Sequence, residues 1–231
     1  MNPTKNLAIR ALIFDFDGLI LDTETPVYES WREVYEDFGL ILPLAEWASL
    51  IGRGAFIQSR TPCHELEERL GCAVDHDALQ IRRRARFNDL MVGRKPYSGV
   101  DELLSDAARY GVRVGLASSS PREWVVGYLN RFGWTERFAV IRCGVEAGAV
   151  KPAPDLYQSA LSALGVMPDA AVALEDSPIG IAAAKAAGLF CIAVPNAVTQ
   201  HTNLGAADVQ VASLREVSFD RLQQFMQAQR L

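Results

Sequence analysis

Four apolar residues, Ala11-Leu12-Ile13-Phe14, run straight into Asp15-Phe16-Asp17-Gly18. A strand with one wet face alternates apolar with polar residues. An unbroken short run instead marks a strand covered on both faces, as in a parallel sheet flanked by helices. Similar runs recur at 112–117, 138–141, 171–174 and 190–194, with a weaker one at 208–211. Between them the apolar spacing predicts helices over 100–110, 122–132, 155–164 and 179–187. Gly111, Gly133, Gly165 and Gly188 follow these helices where a left-handed C-terminal cap belongs. Strands alternating with helices imply an α/β fold with a doubly wound parallel sheet and right-handed crossovers.

One stretch breaks the alternation. Between Asp22 and Lys95 no strand is legible, and apolar residues fall at helical spacing: Trp31, Val34, Tyr35, Phe38; Leu66, Leu70; Leu79, Ala85, Phe87, Leu90. This predicts a helical insertion over 25–94, with residues 1–24 and 95–231 forming the sheet domain. Turn-rich edges at 23–26 and 94–99 mark its ends. Inside it, Arg82-Arg83-Arg84-Ala85-Arg86 has no interleaved aromatics to stack bases, so it reads as a solvated helix face and not a nucleic-acid patch.

Composition narrows the classes further. A chain of 231 residues with 49% hydrophobic and 22% charged residues buries a core without metal or disulfide staples. A net charge of −5 disfavours a polyanion binder. Cys63, Cys72, Cys143 and Cys191 form no Cys-x-x-Cys pair and have no histidine cluster beside them, so they read as buried free thiols in a reducing compartment. The N-terminal apolar run is broken by Asp15 and Asp17 before a signal segment forms, and no window supplies the ~20 apolar residues of a membrane span. A cytoplasmic protein, monomer or weak dimer, without nucleic-acid or membrane partners, is expected.

In open parallel sheets, ligands bind beyond the carboxyl ends of the strands. Those ends carry Asp15 and Asp17, Ser118-Ser119-Ser120, Lys151 in the loop after the third strand, and Glu175-Asp176-Ser177. Two like charges about 4 Å apart repel by about 4 kcal/mol at an effective dielectric of ~20, so four converging acids need a cation. Mg2+ takes oxygen ligands, typically one or two carboxylates plus substrate phosphate. The lysine and hydroxyls complement phosphate oxygens, which favours phosphoryl chemistry. Gly18 lets the chain bend, so Asp15 and Asp17 can approach one phosphorus, one as nucleophile and the other as acid and base.

These residues carry a resemblance. Asp15-Phe16-Asp17-Gly18-Leu19-Ile20-Leu21-Asp22-Thr23-Glu24 resembles the first motif of the haloacid dehalogenase-like hydrolases. Ala117-Ser118-Ser119-Ser120 resembles the second, Val150-Lys151-Pro152-Ala153-Pro154 the third, and Leu174-Glu175-Asp176-Ser177-Pro178-Ile179-Gly180 the fourth. The helical insertion is similar to the mobile cap of the phosphatase and β-phosphoglucomutase branch. The resemblance implies a Rossmann-like core and a Mg2+-dependent phosphatase of a small phosphorylated metabolite, a sugar phosphate first. It makes Asp15 the nucleophile and a metal ligand, and Asp17 the acid and base with its backbone carbonyl on the metal. Ser118 and the Ser119 N–H would bind the phosphoryl group and Lys151 would balance its charge. Asp176 would ligate the metal, with Glu175 beside it or behind.

A phosphosugar mutase of the same fold is the alternative. The resemblance places a histidine early in the first cap helix of such mutases, where this chain has Pro26-Val27-Tyr28. It places a lysine before a cap glycine, where Ile51 precedes Gly52. Both departures favour hydrolysis. A signalling receiver domain uses similar groups, but it is about half this size and has no insertion. Thr23, Glu24 and Arg53 are further candidates for substrate contact. Ser120, followed by Pro121, reads as a helix cap. His64, His76 and His201 lie far from the motifs.

Overall fold

The computed structural model describes residues 9–52, 61–144 and 150–228. Six parallel strands form one sheet: β1 (Ala11–Phe14), β2 (Arg113–Ser118), β3 (Val140–Cys143), β4 (Ala171–Glu175), β5 (Phe190–Ala193) and β6 (Val209–Gln210). Their spatial order is β3-β2-β1-β4-β5-β6. The first strand is central, with Leu12 level with Val114 on one side and Val172 on the other. The chain order reverses across β1, which opens the crevice at its carboxyl end.

The unbroken apolar runs follow from this placement. Side chains alternate faces along a strand, so Leu12 and Phe14 join one apolar layer while Ala11 and Ile13 join the opposite one. Helices α5 (Val100–Tyr110), α6 (Arg122–Phe132), α7 (Asp155–Leu164) and α8 (Pro178–Ala186) connect the strands, and α9 (Phe219–Ala228) ends the described chain. Gly111, Gly133 and Gly165 cap their helices in the left-handed conformation as expected. At α8 the cap is Ala187, and Gly188 turns left-handed one residue later. The third strand begins two residues after its apolar run does: Phe138 packs edge-on against Phe14 instead of pairing in the ladder.

Between β1 and α5, among the described residues, the chain is helical: α1 (Glu24–Asp37), α2 (Leu44–Gly52), α3 (Pro62–Leu70) and α4 (His76–Met91). These helices enclose an apolar cluster of their own around Trp31, Tyr35, Trp47 and Leu66. The arginine run is not simply solvated. Arg82 pairs with Asp37 and Arg86 with Glu33, tying α4 to α1, while Arg83 lies over the Trp31 and Phe87 rings. Cys63, Cys143 and Cys191 are buried and form no disulfide among the described residues, but Cys72 is exposed in the turn after α3. Among the described residues, no helix is long and apolar enough to cross a membrane.

Candidate active site

Strand ends β1, β2 and β4 deliver the sequence-predicted residues to one crevice. Asp15 follows β1 directly, Ser118 is the last residue of β2 and Glu175 the last of β4. Asp15 and Ser118, with Ser119, Lys151, Asp176, Asp17 and Glu24, border a cavity of ≈ 210 Å³; Glu175 does not line it but is bonded to Lys151, which does. The Lys151 ammonium bonds Asp15 Oδ1 at 2.5 Å and Glu175 Oε1 at 2.6 Å, and all three side chains are buried. Burial alone would lower the Lys151 pKa, but the two carboxylates outweigh it and hold the ammonium above the ordinary lysine range.

The acids behave oppositely. Burial pushes Asp15 above the carboxylate range; Lys151 opposes the shift while Glu175 and Asp17 add to it. Asp176 is raised as well, by burial first and then by Asp15 and Glu175. Three buried acids face one lysine, an excess of two carboxyl groups whose ionised forms have no matching positive charge among the described residues. A divalent cation is the group whose charge matches that excess, and one oxygen from each of Asp15, Glu175 and Asp176 lies within 4.8 Å of the others.

Their remaining hydrogen bonds separate the three. Glu175 is engaged at both oxygens: Oε1 accepts from Lys151 and Tyr157, and Oε2 from the Asp176 N–H and Ser177 hydroxyl. Gly180 permits this packing, since a Cβ there would lie 2.0 Å from Glu175 Oε2. Asp15 Oδ2 and Asp176 Oδ1, by contrast, have no hydrogen-bond partner among the described residues. The residues present therefore fit an oxygen-liganded divalent ion, with Asp15 and Asp176 the better-presented acids.

Asp17 sits where two cavities meet. Beside the first lies a second, of ≈ 300 Å³, lined by Asp17, Val27, Arg84, Phe87 and Trp124 among others. The Ser120 hydroxyl donates to Asp17 Oδ2 at 2.6 Å, so Ser120 is drawn to the acid and does not cap α6, whose cap position is Pro121. Trp124 Nε1 donates to Asp17 Oδ1 at 3.0 Å. Thr23 also lines this second cavity, and its buried hydroxyl has no hydrogen-bond partner among the described residues. Glu24 borders both cavities, and its carboxyl is pushed up to about 7 by burial, then by Asp17 and Asp22.

Three residues here have no sequence signature. Asn196, after β5, donates to Asp176 Oδ2 at 2.7 Å and to the Gly18 carbonyl at 3.0 Å. That contact needs Gly18, where a Cβ would lie 2.2 Å from Asp176 Oδ2 and φ is +78°. Tyr157 braces Glu175 and Trp124 holds Asp17. Arg53 and the Ile51 side chain lie outside the described residues. His64 and His76 pack on one another in the helical insertion, away from the crevice.

A family model described as haloacid dehalogenase-like hydrolase matches residues 12–194. YhcW of Bacillus subtilis is 42% identical over 221 residues, covering 96% of this chain and 99% of that one. Hexitol phosphatase B of Escherichia coli is 30% identical over 91% of this chain and 95% of its own. The crystal structure of a HAD family hydrolase from Deinococcus radiodurans, with bound phosphate and sodium, superimposes with a TM-score of 0.75. It is 27% identical and covers 96% of this chain and 98% of its own.

Proposed function

The chain belongs to the haloacid dehalogenase-like hydrolases and is a phosphatase, and from that premise we propose a Mg2+-dependent enzyme that hydrolyses a small phosphorylated sugar or polyol through an aspartyl-phosphate on Asp15. The observation that carries the reading is the placement of Asp15. It is buried, bonded to Lys151 through one oxygen, and its other oxygen has no hydrogen-bond partner among the described residues, in a cavity shared with Ser118 and Ser119.

In the first step an Asp15 oxygen forms a bond to phosphorus as the ester P–O bond breaks, and Asp17 gives its proton to the leaving oxygen. In the second, Asp17 takes a proton from water, the water oxygen bonds to phosphorus, and the Asp15–phosphorus bond breaks to release inorganic phosphate. Ser118, the Ser119 N–H and Lys151 hold the phosphoryl oxygens as charge develops. A Mg2+ ion on Asp15, the Asp17 main-chain carbonyl and Asp176 would neutralise the cluster and the phosphoryl oxygens. Glu175 is within reach of such an ion but is better placed to hold Lys151. Helices over 25–94 act as a cap on a core of 1–24 and 95–231.

Two features favour a polyhydroxy leaving group. Thr23 lines the second cavity and carries a buried hydroxyl without a hydrogen-bond partner among the described residues, and a relative is named a hexitol phosphatase. Val27 supports hydrolysis over the mutase alternative, since an apolar side chain lines the cavity beside Asp17. The test is phosphate release from a panel of phosphorylated sugars, polyols and other metabolites after exhaustive chelation and after Mg2+ is restored. Release from sugar or polyol phosphates that vanishes with chelation and returns with Mg2+ is expected. Full activity without metal defeats the metal assignment. Glucose 6-phosphate formed from β-glucose 1-phosphate much faster than free phosphate promotes the mutase.

A further inference from the structure

We propose that Trp124 is a positioning residue that decides which oxygen of Asp17 carries the catalytic proton. This rests on the phosphatase reading above. A general acid in phosphoryl transfer must reach the leaving oxygen, which lies between the phosphoryl group and the rest of the substrate. Asp17 stands there, bordering both the cavity of Asp15, Ser118 and Lys151 and the neighbouring cavity walled by Val27, Phe87 and Trp124. Its two oxygens are held differently. Oδ1 accepts from Trp124 Nε1 at 3.0 Å. Oδ2 accepts from Ser120 Oγ at 2.6 Å and lies 3.4 Å from Ser118 Oγ, on the phosphoryl side.

The chemistry of the donors makes the difference functional. An indole N–H only donates, whereas a serine hydroxyl donates or accepts by turning. While Trp124 holds Oδ1, that oxygen stays an acceptor. When Asp17 is the acid its proton is on Oδ2, where the Ser120 hydroxyl can turn to accept, next to Ser118 and the phosphoryl site. Trp124 is itself fixed. Its ring lies 5.7 Å from Phe87 of α4 and 4.8 Å from Tyr128 of α6, centroid to centroid. The residue that orients the acid is thus packed against the helical insertion that would cover the leaving group.

The experiment compares kcat/KM for two esters, p-nitrophenyl phosphate and glycerol 2-phosphate, in the wild-type protein and in Trp124→Phe with Mg2+ present. Phenylalanine keeps the ring packing and removes the N–H. The nitrophenolate leaves without a proton, while the glycerol alkoxide needs one. General-acid catalysis is worth about 10²–10⁴-fold, and misplacing the acid forfeits part of that. Trp124→Phe is expected to lose about 30-fold on glycerol 2-phosphate and less than about 3-fold on p-nitrophenyl phosphate. The ratio of the two losses does not depend on how much variant is folded, so a stability defect alone leaves it at one. Ser120→Ala, which strips the donor from Oδ2, is expected to move the ratio the same way by a smaller factor. Equal losses on both esters in both variants, or no loss in either, overturn the assignment while leaving the phosphatase reading intact. No phosphate release by the wild-type protein from any ester overturns both.

Discussion

The two cavities that share Asp17 are made of different material. The cavity proposed for the phosphoryl group is built mainly from strand ends and the loops after them: Asp15, Ser118, Lys151, Asp176. Its charged groups are buried, paired and held by side chains that are themselves held, Asp176 by Asn196 and the supporting Glu175 by Tyr157. The neighbouring cavity draws on α1, α4 and α6, with Val27, Arg84, Phe87 and Trp124. It mixes aromatic walls with polar groups, among them Thr23, whose hydroxyl lacks a partner among the described residues. A preorganised charge cluster suits a reaction that is the same for every phosphate ester. A looser, mixed wall borne partly on the helical insertion suits recognition of whatever is attached to the phosphate, which can vary while the chemistry stays fixed.

The largest effect should follow from striking the first cavity at its centre. Asp15→Asn leaves shape and packing nearly unchanged but replaces the proposed nucleophile by an amide, so kcat should fall by at least about a thousand-fold, as nucleophile deletions do elsewhere. Without metal the variant should melt no lower than the wild-type protein. Burial, Glu175 and Asp17 push Asp15 toward its neutral form while Lys151 opposes them; an amide removes the buried charge, and its carbonyl can still accept from the Lys151 ammonium. Retention of more than about a tenth of wild-type kcat would show that the cluster is not the reacting centre.

A smaller effect is expected one layer out. Asn196 orients Asp176 through a bond from its amide, and its own carbonyl is fixed by the Val198 and Thr199 N–H groups. Removing a group behind a metal ligand typically costs about 10–100-fold in metal affinity. Asn196→Ala should therefore raise the Mg2+ concentration that half-restores activity by about ten-fold, while kcat at saturating Mg2+ changes less. An unchanged Mg2+ requirement would break the link between the inner cluster and its supporting residues.

The same contrast explains what the sequence made legible. The strands could be read because β1, β2, β4 and β5 are covered on both faces, which forces unbroken apolar runs. The third strand was misplaced by two residues because Phe138 is apolar for packing on Phe14 and not for pairing. Asp15, Ser118, Lys151, Glu175 and Asp176 stand at strand ends or in short motifs, so their convergence follows from topology. Asn196 was invisible because its partner carbonyl at Gly18 is 178 residues away in the chain, and nothing local marks the contact. Trp124 and Tyr157 lie in helices α6 and α7, where an aromatic residue ordinarily packs on a core, so nothing local marks their contacts with Asp17 and Glu175. Ser120 was misread as a cap because a local rule for Ser-Pro competed with a tertiary hydrogen bond to Asp17.

The smallest predicted effect tests the border between the cavities. Glu24 starts α1, where the helix dipole favours a charged carboxylate. Burial and the neighbouring Asp17 and Asp22 nevertheless push its pKa from 4.5 to about 7 in the folded protein. Between those two values the folded state holds a proton that the unfolded chain has released, so its contribution to stability is full below about pH 4.5 and declines as pH rises through 7. Glu24→Gln cannot titrate and lacks that decline. Melting temperatures in metal-free buffer from pH 5 to 7.5 should show the wild-type protein losing ground to the variant as pH rises, by about 3 °C across the range, a shift on the order of one kcal/mol for a chain of this size. Other titrating groups are common to both proteins and cancel in the difference. A difference that stays constant with pH would mean that Glu24 is ionised throughout, and that the acid at the border of the two cavities is solvated like any surface carboxylate.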